Sequence, residues 1–398
     1  MTDALDILLK GAGDSAAAAR LRQSGLPTPK LEDWKFTSLR PLEKFLAEGG
    51  TAGKPLDVPA PLAEGAAQIV IRNGRLESAP HDVNGVSVNS TDTATEPREG
   101  SAVADMVAAL AGGALGLAIE RNAVIDKPVE LVFLSDGSAG PAQHVSVAID
   151  AGENSEALLI ERHLGDGGYL NAQAVTVTLG QNARLRHIKV QDESAAGFHL
   201  ADLDATLGRD ASYHRFILSL GARLARDEVH ATCAGEGAEL RLLGAYAGAD
   251  EQHLDHTTRI DHAVPRTTSH EVYKGVLDDS ARGVFQGGVL VRPDAQKTDG
   301  HQMNKALLLS PKAEIDSKPA LEIYADDVKC SHGATAGEIE ADQLFYLRAR
   351  GIPDKDARAL LVQAFLDEIF DDIRNEDLRE ALIARLHAKL DREDGARG

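Results

Sequence analysis

The sequence predicts a mainly β protein, a solenoid of short strands held between helical ends. Three observations carry this. From Val129 to about residue 340 helical periodicity is almost absent, and short apolar runs alternate with small turns. Four of those turns resemble one another: GENSEA ending at Ala157, GQNARL with Ala183, GRDASY with Ala211 and GEGAEL with Ala238, with the alanines 26, 28 and 27 residues apart. Weaker echoes stand at Ala281 and Ala313. Helical patterning dominates only outside this stretch. A repeat of this length marks a stacked array. With Gly or Asp at the turns and no helix between strands, the unit reads as one coil of a β-helix, which pairs its backbone with the next coil and buries small aliphatics inward. An antiparallel meander or sandwich with regular hairpins also fits this signal. Solenoid ends need covering, and helical segments at both ends would supply the caps.

Taken in order, residues 4 to 24 read as helical, with Asp14 and Ser15 as capping oxygens, an alanine run, and Gly25 with Pro27 as the stop. The proline-punctuated segment that follows carries the only tryptophan, Trp34, either an anchor beside Phe36 and Leu39 or a ligand-stacking residue. Gly49 to Pro61 has linker composition. Gln68 to Arg72 alternates like a strand, and Asn73-Gly74 is a tight-turn signal. Ser101 to Glu120 reads as a helix capped by Ser101 and weakened at Gly112-Gly113. Asp342 to Arg350 is a short helix closed by Gly351, and Pro353 opens another with an apolar stripe of Ala357, Leu360, Leu361, Ala364, Phe365 and Ile369. From Asn375 a third helix carries Leu378, Leu382, Leu386 and Leu390. The expected division is an N-terminal, mostly helical domain over 1–125, a solenoid core over 126–338 and a helical domain over 339–398.

Apolar residues make up 43% of the 398, so the chain is globular, and the net charge of −20 argues against nucleic acid and anionic membranes as partners. That charge suits cations, a basic partner or plain solubility. Two cysteines, Cys233 and Cys330, make neither a disulfide framework nor a zinc ribbon. With no basic-then-apolar leader and no apolar run approaching ~18 residues, a reduced, cytoplasmic protein is expected.

Standard catalytic signatures are missing: there is no GxxxxGK[ST], GxGxxG before a helix, GxSxG or HExxH. His253, His256, His262, His270 and His301 cluster loosely, but on a strand His253 and His256, three apart, face opposite sides. Cys330-Ser331-His332 is different, because residues two apart on a strand share a face, so a thiol and an imidazole are presented together. Both are ligands for iron and iron–sulfur centres, yet two are too few for a closed site. A second chain would have to complete it. A structural cysteine beside a hydrogen-bonded histidine, or a Cys–His nucleophile pair, are the other readings.

The stretch KCSHGATAGEIEADQLFYLRARGI, Lys329 to Ile352, resembles the C-terminal signature of the SufB/SufD family of iron–sulfur cluster assembly proteins. HGAT at His332 to Thr335 is similar to the branch that pairs with SufB, which itself typically reads EHEAT there. EDWKFTSLRPL at Glu32 to Leu42 and PALEIYADDVKC at Pro319 to Cys330 look like the same family. The resemblance implies a right-handed parallel β-helix between helical domains and a non-catalytic scaffold. It implies pairing with a SufB-like paralogue through the β-helix and docking of a SufC-like ABC ATPase on the C-terminal helices. It further implies a transient iron–sulfur cluster, or iron, shared with the partner. His332 matches the family's ligand histidine; Cys330 would support it or be structural. The isolated chain could pair with itself. An imidazole binds more weakly than a thiolate and responds to protons, as suits a site that releases its cluster. The rival reading is a β-helix carbohydrate-active enzyme, a lyase or hydrolase.

Overall fold

The computed structural model describes residues 4–10, 12–13, 15–80, 83–91, 96–98 and 100–395. Asp14, expected as a capping residue, lies outside the described residues.

Two long sheets run side by side as the walls of a parallel β-solenoid. The first is nine-stranded and the second ten-stranded. In the first sheet Ala142 pairs with Leu170, Leu170 with Phe198 and Phe198 with Leu224, all parallel, and the second runs likewise from Glu156 through Arg184 and Ser212 to Glu239. Most inner strands are buried on both faces, which is why helical and alternating patterns both vanish from this stretch.

The repeating turns mark one line of this architecture. Ala183, Ala211 and Ala238 stack: their carbonyls accept from the amides of Ser212, Glu239 and Thr268 at 2.8, 2.9 and 3.0 Å, and all three are fully buried. The member of the column before Ala183 is Ser155, not Ala157, because the Ser155 carbonyl accepts from Arg184 while Ala157 pairs with Leu185 inside the strand. Ala281 and Ala313 stack on each other in the other turn line, which leads into the first sheet. Each coil has two turns, and both use small residues. Beside the alanine column runs a ladder of left-handed residues, Asn122, Asn154 and Asn182 at φ 61°, 57° and 56°. Asn154 Nδ2 donates to Asn122 Oδ1 at 2.9 Å and Asn182 Nδ2 to Asn154 Oδ1 at 3.0 Å. Asparagine tolerates this backbone and its amide links one coil to the next.

The stack begins upstream of residue 126. Ala67–Arg72 pairs in parallel with Val129–Ser135 and, through the Asn73-Gly74 turn, antiparallel with Arg75–Ser78. Val86–Thr91 closes the first sheet antiparallel to Ala114–Ile119. The helix expected over 101–120 is therefore only Ala102–Leu110; after Gly112-Gly113 the chain is a strand, because its apolar residues face the solenoid core. Ser101 caps that helix as expected: its Oγ accepts from the Ala104 amide at 3.1 Å and donates to Asp202 at 2.7 Å. Ser101→Ala should cost about 1 kcal/mol, seen as a lower urea midpoint with unchanged slope.

The helices do not cap the ends of the stack. The N-terminal helices Ala16–Ser24, Arg40–Glu48 and Ala102–Leu110 pack on the outer face of the first sheet, against Leu170, Ala172, Phe198, Leu200 and Leu224. The C-terminal helices Asp354–Asp367 and Glu376–Gly395 pack on the outer face of the second, against Ile160, Ile188, Phe216 and Leu243. There Leu378, Leu382 and Leu386 are fully buried as patterned, but the preceding helix buries Ala357, Val362 and Leu366 and leaves Leu360 and Ala364 outside, with Ile369 buried in the turn that follows it. Among the described residues no helix is long and apolar enough to cross a membrane.

Candidate functional site

Because the helices lie on its flanks, the far end of the solenoid is open. Glu314–Ile323 and Lys329–Gly337 are the terminal strands of the two sheets and pair on one side only. Their outer edges present backbone donors and acceptors that no further coil takes up. Ile323 and Tyr324 are exposed at the turn between them.

Lys329–Gly337 carries the sequence signature. In register, Cys330 lies over Gly300 and His332 over Gln302, both on the lumen-facing side of the preceding strand. The structure thus puts Cys330 and His332 on one face, as the two-residue spacing requires, and turns Ser331 to the other, where its Oγ is 2.6 Å from His301 Nδ1. His332 faces the lumen but is exposed, since nothing is stacked above it. Cys330 is half-buried against the core, and burial together with the Asp299 charge pushes its thiol up, so the neutral thiol dominates at neutral pH. A Cβ on Gly300 would stand 3.6 Å from Cys330 Sγ and 3.7 Å from His262 Nε2. A Cβ on Gly333 would meet Met303 Cε at 2.7 Å, the far end of a flexible side chain that can move aside.

Below His332 the lumen stays polar. Gln302 Nε2 donates to Glu271 Oε2 at 2.7 Å, and burial pushes the Glu271 carboxyl up to about 7. Glu271, Gln302 and His332 stand in one column across three coils. Sequence reasoning missed the first two; a coil register of 30 and then 31 residues, counted back from His332, would have found them.

His253, His256 and His262 of the loose cluster read from the sequence do not converge on one site. His253 faces outward, with Nε2 2.8 Å from Thr37 Oγ1, while His256 faces the lumen between Tyr246 and Tyr273. His262 is held inside by Thr267 and Ser269. Trp34 is an anchor: its buried ring lies 4.1 Å under the Arg226 guanidinium on the first sheet's outer face. Thr37 reaches Asp255 and Asp33 reaches Arg259 from the same segment. On the opposite flank Phe345 and Tyr346 of helix Ala341–Ala349 are 73% and 56% exposed, with Leu360 nearby in sequence also outside.

These features coincide with what similarity shows. The family model described as SUF system FeS cluster assembly, SufBD core domain, matches residues 133–365. The chain is 32% identical over 384 residues to the iron-sulfur cluster assembly protein SufD of Escherichia coli, covering 93% of this chain and 91% of that one. It is 31% identical over 406 residues to a SufBD family protein of Mycobacterium bovis, covering 98% and 96%, and 27% identical over 288 residues to SufD of Bacillus subtilis, covering 71% and 65%. The HGAT edge, the anchored EDWKFT segment and the solenoid that joins them are therefore those of one lineage: the chain belongs to the SufB/SufD family of iron–sulfur cluster assembly proteins, on its SufD branch.

Proposed function

We propose that this chain is a non-catalytic scaffold subunit in the cytoplasm that lends His332 to a nascent iron–sulfur cluster at a seam with a SufB-like paralogue. One observation carries the reading: the family signature lies on an open terminal coil, with His332 exposed on an unpaired strand edge. A second β-solenoid can continue both sheets there through backbone hydrogen bonds. Without that partner, a second copy of the chain can occupy the same edges. Cys330, held as a thiol beside His332, supports the site or becomes a ligand once a metal displaces its proton. The cluster is transient cargo shared across the seam. Phe345, Tyr346 and Leu360 offer an apolar surface for a SufC-like ABC ATPase, whose hydrolysis would open the seam. Family membership leaves no support for the carbohydrate-active alternative.

The test is His332→Ala in a complex reconstituted with the SufB-like and SufC-like partners. Co-purification of the three chains should persist, while iron and sulfide bound after reconstitution should fall roughly tenfold or more, since losing a ligand costs at least what losing its outer support does. Full cluster content in an intact complex would remove His332 from the site.

A further inference from the structure

A second group of metal-ligating side chains lies inside the first half of the stack, on strands remote from the terminal coil. His163 lies two residues before the end of strand Glu156–Gly165, Glu193 follows strand Arg184–Asp192, and His199 is the second residue of strand Phe198–Leu207 of the opposite sheet. All three are buried, and one donor atom from each lies within 4.8 Å of the other two. We propose that His163, Glu193 and His199 form an interior binding site for one divalent transition-metal ion, iron(II) or zinc in class, that is distinct from the His332 edge and does not depend on that reading.

The donor set comes first. Two imidazoles and one carboxylate suit iron, zinc or cobalt in preference to magnesium or calcium, and three protein ligands leave coordination positions open. Metal–nitrogen bonds of ~2.0–2.1 Å place ligand atoms roughly 3–3.5 Å apart, within a small side-chain adjustment of this cluster.

His163 is already oriented as a ligand. Its Nε2 lies 2.6 Å from Glu161 Oε1, and its ring stacks on Phe133 with centroids 4.4 Å apart and planes 4° from parallel. With Nε2–H donating to that carboxylate, the Nδ1 lone pair faces the cluster, where it accepts from Asn171 Nδ2 at 3.2 Å, and a bound metal would take the place of that amide hydrogen. Glu161 itself is balanced by Lys189 at 3.6 Å, so Glu193 is left as the anion facing a cation. Asn171 Nδ2 and Gln191 Nε2, each 3.1 Å away, fix the Glu193 carboxylate from behind.

His199 is the independent sign of a ligand. It is 1% exposed, and neither ring nitrogen has a hydrogen-bond partner. Its Nδ1 approaches Glu193 Oε2 to 2.7 Å without the alignment of a hydrogen bond. Buried imidazoles are rarely left this way, and a shared metal satisfies both groups at once. The comparable cluster of Asp202, Glu228 and His230 carries no such inference. There Arg98 Nη2 sits 2.9 Å from one carboxylate and 3.1 Å from the other and already neutralises them.

The experiment uses the full-length chain, produced in cobalt-supplemented medium and also stripped and incubated anaerobically with Co(II) alone. Metal is counted after gel filtration. About one Co(II) per chain is expected, with visible d–d absorption and an X-ray absorption first shell of nitrogen and oxygen showing two imidazoles and no sulfur. His199→Gln and Glu193→Gln should each weaken binding by ~10–100-fold or more, whereas the doubly substituted Cys330→Ala, His332→Ala chain should keep the equivalent. The absorption spectrum of the unsubstituted chain decides the matter even if a substituted chain does not fold. Less than about a tenth of an equivalent under both loading conditions overturns the site and leaves a buried Glu193–His199 ion pair. So does a sulfur-containing first shell, an equivalent that survives both ligand substitutions, or one that disappears with His332.

Discussion

Asp227→Ala should destabilise the chain by about 3–5 kcal/mol, among the largest losses expected of a single substitution here. Asp227 faces the lumen, where Arg215 grips it with two parallel hydrogen bonds of 2.8 Å and Lys189 Nζ adds a third at 3.1 Å. All three are buried, as is Glu161, the second carboxylate near Lys189. Two positive and two negative charges thus neutralise one another inside the solenoid. Burial alone would raise the Asp227 carboxyl, but the Arg215 and Lys189 charges outweigh it and hold the group well below the usual carboxylate range. Its contribution is therefore present above the unfolded-state pKa of about 4 and is lost as pH falls through the native value. Alanine leaves the buried Arg215 guanidinium without its carboxylate and Lys189 with Glu161 alone. Urea unfolding at pH 7 should show the loss as a lower midpoint. A double substitution, Asp227→Leu with Arg215→Met, should recover much of it, because an apolar pair of similar volume is not penalised as a lone buried charge is. A loss below about 1 kcal/mol for Asp227→Ala would mean that water reaches the lumen at this level.

The fold was legible wherever local chemistry repeats. Left-handed Asn and Asp at the turns, small residues beneath them and apolar strands between them are dictated by coil geometry, so they recur in the sequence. What repeats poorly was misread. Ala157 took the place of Ser155 because this turn carries serine where later turns carry alanine, and the nearest alanine lies two residues on, inside the strand. The helix over 101–120 was drawn too long because Leu115, Leu117 and Ile119 are apolar in either structure, and only pairing with Ala142–Ala151 decides for the strand. The helical ends were expected as caps, but amphipathicity says only that a face is buried, not against what. The site divides in the same way. Cys330 and His332 share a face by strand periodicity, a local rule. Glu271, Gln302, His163, Glu193 and His199 meet through coil register, which a degenerate repeat does not fix to the residue.

Glu271→Gln tests that register through its pH dependence. Burial raises the native carboxyl from the ordinary 4.5 to about 7, and hydrogen bonds from Thr258 and Gln302 only moderate the rise. Between those values the unfolded chain gives up a proton that the native chain keeps, so stability falls as pH rises through the window, by about 3 kcal/mol in all. Glutamine cannot ionise, and its amide can still accept from Gln302 while offering a donor to the unpartnered Gln302 Oε1. The substituted chain should match the original near pH 4, gain on it progressively from about pH 4.5, and hold an advantage of ~3 kcal/mol above about pH 7.5. Urea unfolding at a series of pH values measures this directly. A difference that does not change with pH would mean that Glu271 ionises as it does in water, and that the column under His332 is open to solvent down to that coil.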